Sequence, residues 1–125
     1  MSVVNKFMML QVAVNDMPTA KAFYADKLGL EVTTDYRQDD NNWWVSLALP
    51  EGDVVITLTT HHGHMKPGAL TLYFATSDIV ASHKELSDKG VDVSEIGSDL
   101  HGPGSGTKWF NFKDSEGNLI HIEQA

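Results

Sequence analysis

One pattern is written twice along the chain, and it constrains the fold more than any other feature. Leu10, Val12 and Val14 have counterparts in Leu72, Phe74 and Thr76, each 62 positions later, and the aspartate Asp16 recurs at that same spacing as Asp78. Gly29 recurs as Gly90, 61 positions later. In the first half, "FMMLQVAV" predicts a strand, and Asp16 caps a helix through "MPTAKAFYADKL". Met17, Ala20, Phe23, Tyr24 and Leu28 make one apolar stripe of that helix, and Gly29 ends it. Strands follow at "LEVTTDY", "WWVSLAL" and "VVITLTT", separated by the polar turns "QDDNN" and "PEGD". The second half runs in the same order. It has a strand "LTLYFAT", a helix "IVASHKELSDK" capped by Ser77 or Asp78 and stopped by Gly90, and strands at "VDVSEI", "TKWFNFK" and "NLIHIEQ". The expectation is a duplicated βαβββ unit.

Each unit has a helix to cover one sheet face, which leaves the opposite face free. Two such faces are expected to share a hollow. The predicted class is therefore α+β, with two βαβββ modules forming a curved mixed sheet around a cleft and the helices on the outer face. Residues 1–125 make one domain, with module one at about 5–60 and module two at about 68–124. Strand alternation sends Phe7, Met9, Gln11 and Ala13 towards the cleft, with Val55, Thr57 and Thr59. From the second half come Thr71, Tyr73 and Ala75, with Leu119, His121 and Glu123. The repeat relates four central positions: Met9, Thr57, Thr71 and His121.

Composition narrows the partners. A formal net charge of −8, with Lys and Arg scattered, opposes binding to a phosphate backbone, so no nucleic-acid partner is expected. No run approaches the roughly eighteen apolar residues of a membrane span, and "MSVVNKFMML" carries no charged leader before an apolar core. There is no cysteine, hence no disulfide framework or thiolate metal site. The expected location is the cytoplasm.

"VAVNDMPTAKAFYADKLGLEV" and "FKDSEGNLIHIEQ" together resemble the opening and closing segments of the vicinal oxygen chelate superfamily. Glyoxalase I, bleomycin-resistance proteins, fosfomycin-resistance enzymes and extradiol dioxygenases belong to it. The resemblance covers nearly the whole chain and implies paired βαβββ modules, usually a homodimer. In its metal-dependent members a divalent ion is held by His or Glu from the first and fourth strands of each module. Carried over by position, those sites fall on Met9, Thr57, Thr71 and His121. A thioether and two hydroxyls are poor ligands for zinc, nickel or ferrous iron, and one imidazole does not supply the three or four donors required. No metal ligand and no cofactor are therefore expected, a divalent metal being the alternative.

His121 reads as a polar contact to a bound small molecule, with donor, acceptor or general-base chemistry open to it as the candidate catalytic residue. A core histidine satisfied by a neighbour is the competing reading. The expected ligand-binding set is Met9, Gln11, Thr57, Thr71, Tyr73 and His121, with Trp44 and Phe110 as cleft aromatics and His101 at the edge of the loop "GSDLHGPGSG". Strand parity sends one of Trp43/Trp44 and one of Trp109/Phe110 to the cleft without saying which. The loop is either flexible or a lid. It is not a phosphate loop, since no Lys-Ser/Thr follows and it opens a strand. His61, His62 and His64 in "THHGHMKPG" read as solvated connector histidines.

Three functions compete. The first is metal-independent binding of a small, partly apolar or aromatic molecule. The second is a superfamily enzyme, a glyoxalase-like lyase or isomerase or a dioxygenase, with an altered ligand set in which His121 joins Glu123, His101 or a residue from a dimer mate. The third is an interaction module without pocket chemistry. The residues favour the first.

Overall fold

A computed structural model of the chain describes residues 2–125. It divides into two compact units, the first ending at Pro67 and the second beginning at Gly68. Among the described residues are seven strands in two open sheets, two α-helices and one π-helical turn, an α+β architecture. No described helix is long and apolar enough to cross a membrane.

In the first unit, β1 (Met9–Ala13) leads to α1 (Met17–Ala22), then β2 (Glu31–Asp39), β3 (Asn42–Ala48) and β4 (Val55–Thr59). The sheet order is β1-β4-β3-β2, with β1 parallel to β4 and the other pairs antiparallel. Asp16 caps α1 as expected, its Oδ1 accepting the Thr19 amide at 3.1 Å and its Oδ2 the Thr19 hydroxyl at 2.9 Å. Pro18 occupies the first turn, where a missing N–H leaves nothing unpaired. The helix then widens into a π-turn over Phe23–Lys27, closed by the Leu28 amide on the Phe23 carbonyl at 3.1 Å. Tyr24 sits in that turn and is fully buried. Val12, Val45, Leu47, Ile56 and Leu58 supply the sheet face that receives Met17, Ala20 and Tyr24.

The second unit runs β5 (Thr71–Thr76), α2 (Ile79–Asp88), β6 (Trp109–Lys113) and β7 (Leu119–Gln124), in the order β5-β7-β6 with β5 parallel to β7. Of Ser77 and Asp78 it is Asp78 that caps α2, accepting the Ala81 amide at 3.0 Å. Gly90 adopts a φ of +84° at the helix end, as Gly29 does at +75° after the first helix. Leu72, Phe110, Phe112, Ile120 and Ile122 form the buried face that meets Ile79 and Leu86.

One expected strand is not a strand. "VDVSEI" makes no regular ladder with β6: the Ser94 amide donates to the Asn111 carbonyl at 2.9 Å, and an isolated bridge joins Gly97, just after the stretch, to Trp109. Ser94 explains the break. Its hydroxyl accepts the Asn111 amide at 2.9 Å, and its carbonyl is drawn off the ladder by His83 Nε2 of α2 at 2.8 Å. Both groups that would continue a backbone ladder are thus spent elsewhere.

The turn between β6 and β7 is held from within. Asp114 Oδ1 accepts the amides of Glu116 and Asn118, each at 2.9 Å, and its Oδ2 accepts Asn118 Nδ2 at 2.8 Å. Asn118, only 1% exposed, passes the connection on by accepting the Leu70 amide at 2.9 Å, just before β5 begins. The "DSEGN" stretch therefore fixes the hairpin and its register against β5. We expect Asn118→Ala to lose roughly 2–4 kcal/mol, since it strands a buried carboxylate and a backbone amide together. A urea unfolding curve with an unchanged slope measures this, and a loss within ~0.5 kcal/mol contradicts it.

On the helix side of β2 and β3, Lys21 Nζ meets Asp35 Oδ2 at 2.6 Å and Trp43 Nε1 donates to Asp35 Oδ1 at 2.8 Å. Lys21 first, then Trp43, hold the Asp35 carboxyl below its ordinary value. A depressed folded pKa gives stability that is present above the unfolded value near ~3.9 and lost as the pH falls through the folded one. The pair is a third exposed, so Asp35→Asn should cost below about 1 kcal/mol near neutrality. That difference should vanish in strong acid, as read from urea midpoints at the two pH values.

Candidate functional site

Each sheet has one face under its helix and one face without such cover, and the candidate side chains stand on the second. In the first unit the register places Gln11 beside Thr57 and Met9 beside Val55. In the second it places Tyr73 beside His121 and Thr71 beside Leu119. The expected central pairs, Met9 with Thr57 and Thr71 with His121, share a face but stand one two-residue step apart along their strands. Thr57 is not free to serve as a neutral ligand: its hydroxyl is buried and bonded to the Ser46 hydroxyl at 2.8 Å.

Trp44 lies on the open face of the first sheet, opposite Thr59, 37% exposed and stacked on Tyr36 with ring centroids 4.6 Å apart. Trp43 takes the helix side. The hollow beside Trp44 measures 490 Å³ and takes in Met9, Gln11, Thr57 and Thr59 from the sheet. Its remaining wall is the connector after β4. The His61 amide bonds to the Thr59 hydroxyl at 3.1 Å, His62 Nε2 donates to the Val14 carbonyl at 2.7 Å, and the Met65 amide donates to the His62 carbonyl at 2.9 Å. The expectation that His61, His62 and His64 are solvated connector residues fits the exposed His61 and His64, and part-buried His62 departs from it. His61 and His64 are exposed, but all three border the hollow, and His62 is pinned to the end of β1. The signal available in sequence was the strand ending at Thr59, which brings a histidine-rich connector directly onto the open face.

On the second sheet Tyr73, 58% exposed, stacks on His121 with centroids 4.7 Å apart and planes 12° apart. Trp109 tilts against the other neighbour position at 5.8 Å. Phe110, expected as the cleft aromatic of its pair, is on the wrong side: 0% exposed and edge-on to His83 of α2 at 5.0 Å. Phe110 lies directly opposite Ile122 in the ladder, so it shares that residue's helix-facing side and Trp109 takes the open one. His101 reaches β7, its Nε2 2.8 Å from Glu123 Oε2. Its loop closes on itself through Asp99, which accepts the Gly106 amide at 2.7 Å and the Gly102 amide at 3.0 Å.

His121 Nδ1 is enclosed and has no hydrogen-bond partner among the described residues. A core histidine satisfied at both nitrogens does not describe it. Such an atom costs roughly 1–3 kcal/mol until something bonds to it.

A divalent cation is what the fold implies, and the residues do not fit one. The four family positions hold a thioether, a hydroxyl already bonded to Ser46, a second hydroxyl and one imidazole. Among the described residues no three His, Asp or Glu side chains come together as candidate ligands. Glu123 and His101, the partners expected for an altered set, are bonded to each other.

The family model described as the Glyoxalase/Bleomycin resistance protein/Dioxygenase superfamily matches residues 6–122. The chain belongs to that superfamily. Among solved structures it is similar to the antibiotic binding protein TnmS3 from Streptomyces sp. CB03234, at 26% identity and a TM-score of 0.83, covering 99% of this chain and 98% of that one. A glyoxalase/bleomycin resistance protein from the same organism is 27% identical, with a TM-score of 0.79 over 95% and 100% of the two chains. A superfamily member from Sphaerobacter thermophilus DSM 20745, 23% identical over 99% and 100%, shares the fold at a TM-score of 0.79. No curated protein matches the sequence.

We expect His121→Phe to leave stability unchanged or to raise it by up to about 1–3 kcal/mol, because it keeps the stack on Tyr73 and removes an unpaired nitrogen. A thermal or urea unfolding comparison without ligand decides it. A loss above ~2 kcal/mol means that His121 is a bonded structural residue after all.

Proposed function

We propose that this superfamily member binds a small, flat, partly apolar or aromatic molecule on its open sheet faces, without the superfamily's metal centre. The observation that carries the reading is the 490 Å³ hollow with the Trp44–Tyr36 stack at its side. Its size lies in the range of small-molecule sites, and the apolar side chains of Met9, Trp44 and Met65 stand there among neutral polar groups such as Gln11 and Thr59 and the connector histidines. Tyr73, His121 and Trp109 give the second sheet a comparable aromatic surface, with Nδ1 of His121 waiting for a partner. Similarity to an antibiotic binding protein supports the same direction, although function belongs to the site and not to the fold.

The reading includes a homodimer, as the sequence resemblance implies, and a cytoplasmic location, as the composition suggests. Light scattering that returns the mass of one chain removes the dimer from it. The enzyme reading, a lyase, isomerase or dioxygenase built around His121, stands second, since the donors it needs are thioether, hydroxyl or already paired.

Titration of intrinsic tryptophan fluorescence with a panel of planar polycyclic antibiotics tests the proposal. We expect saturable quenching for at least one member, weakened about tenfold or more by Trp44→Ala, which removes a large stacking surface. A panel that gives no saturable change sinks it. So does a stoichiometric divalent ion, found in the purified protein and lost on His121→Ala.

A further inference from the structure

We infer that the hollow of the first unit takes flat ligands that carry a carboxylate, and that the connector histidines hold that group, so that binding tightens as the pH falls. The inference rests on the ligand-binding reading above and adds the chemistry of the ligand at the same site.

The lining of the hollow is unusual for so acidic a chain. From the sheet come Met9 and Trp44, which are apolar, and Gln11, Asn42, Thr57 and Thr59, which are neutral. From the connector come His61, His62 and His64, with Gly63 and Met65. Among the described residues no Asp, Glu, Lys or Arg lines it, so the three imidazoles are its only groups able to change charge. The nearest charged side chains on the neighbouring elements stand outside the lining. Asp39, at the end of β2, accepts Asn42 Nδ2 at 3.2 Å, and Lys66 of the connector is exposed.

The connector can take up charge without coming apart. Val14 offers a carbonyl, which only accepts, so His62 Nε2 must be the protonated nitrogen of that 2.7 Å bond. Protonation then adds a hydrogen at Nδ1 and leaves the bond intact. His61 and His64 are exposed, and their positions depend on backbone bonds of the connector, not on their rings. Protonated, these imidazoles put positive charge on one wall of a pocket whose other walls are neutral.

That asymmetry chooses the ligand. A cationic ligand finds no carboxylate here and is repelled once the imidazoles charge. A neutral ring gains the stacking surface of Trp44 but leaves the connector unused. An acid uses both, through charge-assisted hydrogen bonds to N–H donors. The net charge of −8 opposes an anion at long range, but at physiological salt that field is screened beyond about 8 Å, whereas contact inside the hollow is not.

The test uses the full chain and matched probes: anthracene carboxylates, each beside its neutral carboxamide. Affinities are read from tryptophan fluorescence at about pH 5.5 and about pH 8. We expect the acids to bind about tenfold tighter than their neutral partners at the lower pH, with the ratio falling towards one at the higher. His61→Gln combined with His64→Gln should bring that ratio near one at both pH values, with the unfolding midpoint showing that the fold is kept. Acids and neutral partners that bind with equal, pH-independent affinity overturn the inference and leave the ligand-binding reading standing. Probes that fail to bind in either form, at either pH, overturn both.

Discussion

Everything functional in this chain follows from one constraint: a sheet with a helix packed on one side has a second face that the helix does not cover. In each unit the parallel pair, β1 with β4 or β5 with β7, forms one side of the sheet. Its alternate residues are committed to the helix side by burial. Val12, Leu58, Ile120 and Ile122 have almost no freedom, because a one-residue slip would turn every one of them outwards. The intervening residues Gln11, Tyr73 and His121 are not committed to that packing, while Thr57 is bonded to Ser46. The superfamily's variety of activities reflects that division of labour between two faces of the same strands.

Much of this was legible in the sequence because local signals and long-range packing agreed. Asp16 and Asp78 are caps in sequence and in structure, and Gly29 and Gly90 end the helices with the left-handed backbone their positions require. The failures have specific causes. "VDVSEI" alternates like a strand, but alternation does not report that His83 and the Ser94 hydroxyl will compete for its ladder bonds. Phe110 was assigned to the open face because periodicity fixes the relation between neighbours and not the absolute phase. Only the pairing with Ile122 fixes that. The π-turn at Phe23–Lys27 is a third case: a stripe of apolar residues looks helical whether the turn closes over four residues or five.

The candidate site was legible in its sheet residues and hidden in its connector. Met9, Gln11 and Thr57 followed from strand parity alone, and their bordering of one hollow needed only the register. The histidines of "THHGHMKPG" lie between the elements that periodicity describes, so nothing local placed them. Tertiary bonds did: the His62 ring on the Val14 carbonyl and the Thr59 hydroxyl on the His61 backbone. A loop tied at both ends to a rigid sheet is a common place for recognition groups, since the scaffold positions them while their own sequence stays free to vary.

The two open faces also show why the residues at the family's ligand positions are separable from the packing of the fold. Ligand side chains at Met9, Thr57, Thr71 and His121 would contribute little to packing on the helix side, so replacing them leaves the buried face untouched. Thr57 shows the structural use that follows, a buried hydroxyl paired with Ser46 across adjacent strands. His121 shows the opposite outcome. It keeps an imidazole between Tyr73 and Trp109, with one nitrogen unpaired, where an apolar ring would pack equally well at no polar penalty. Such a nitrogen costs about 1–3 kcal/mol until a hydrogen bond reaches it. Of the four positions, His121 is therefore the one whose chemistry the stability of the fold does not account for.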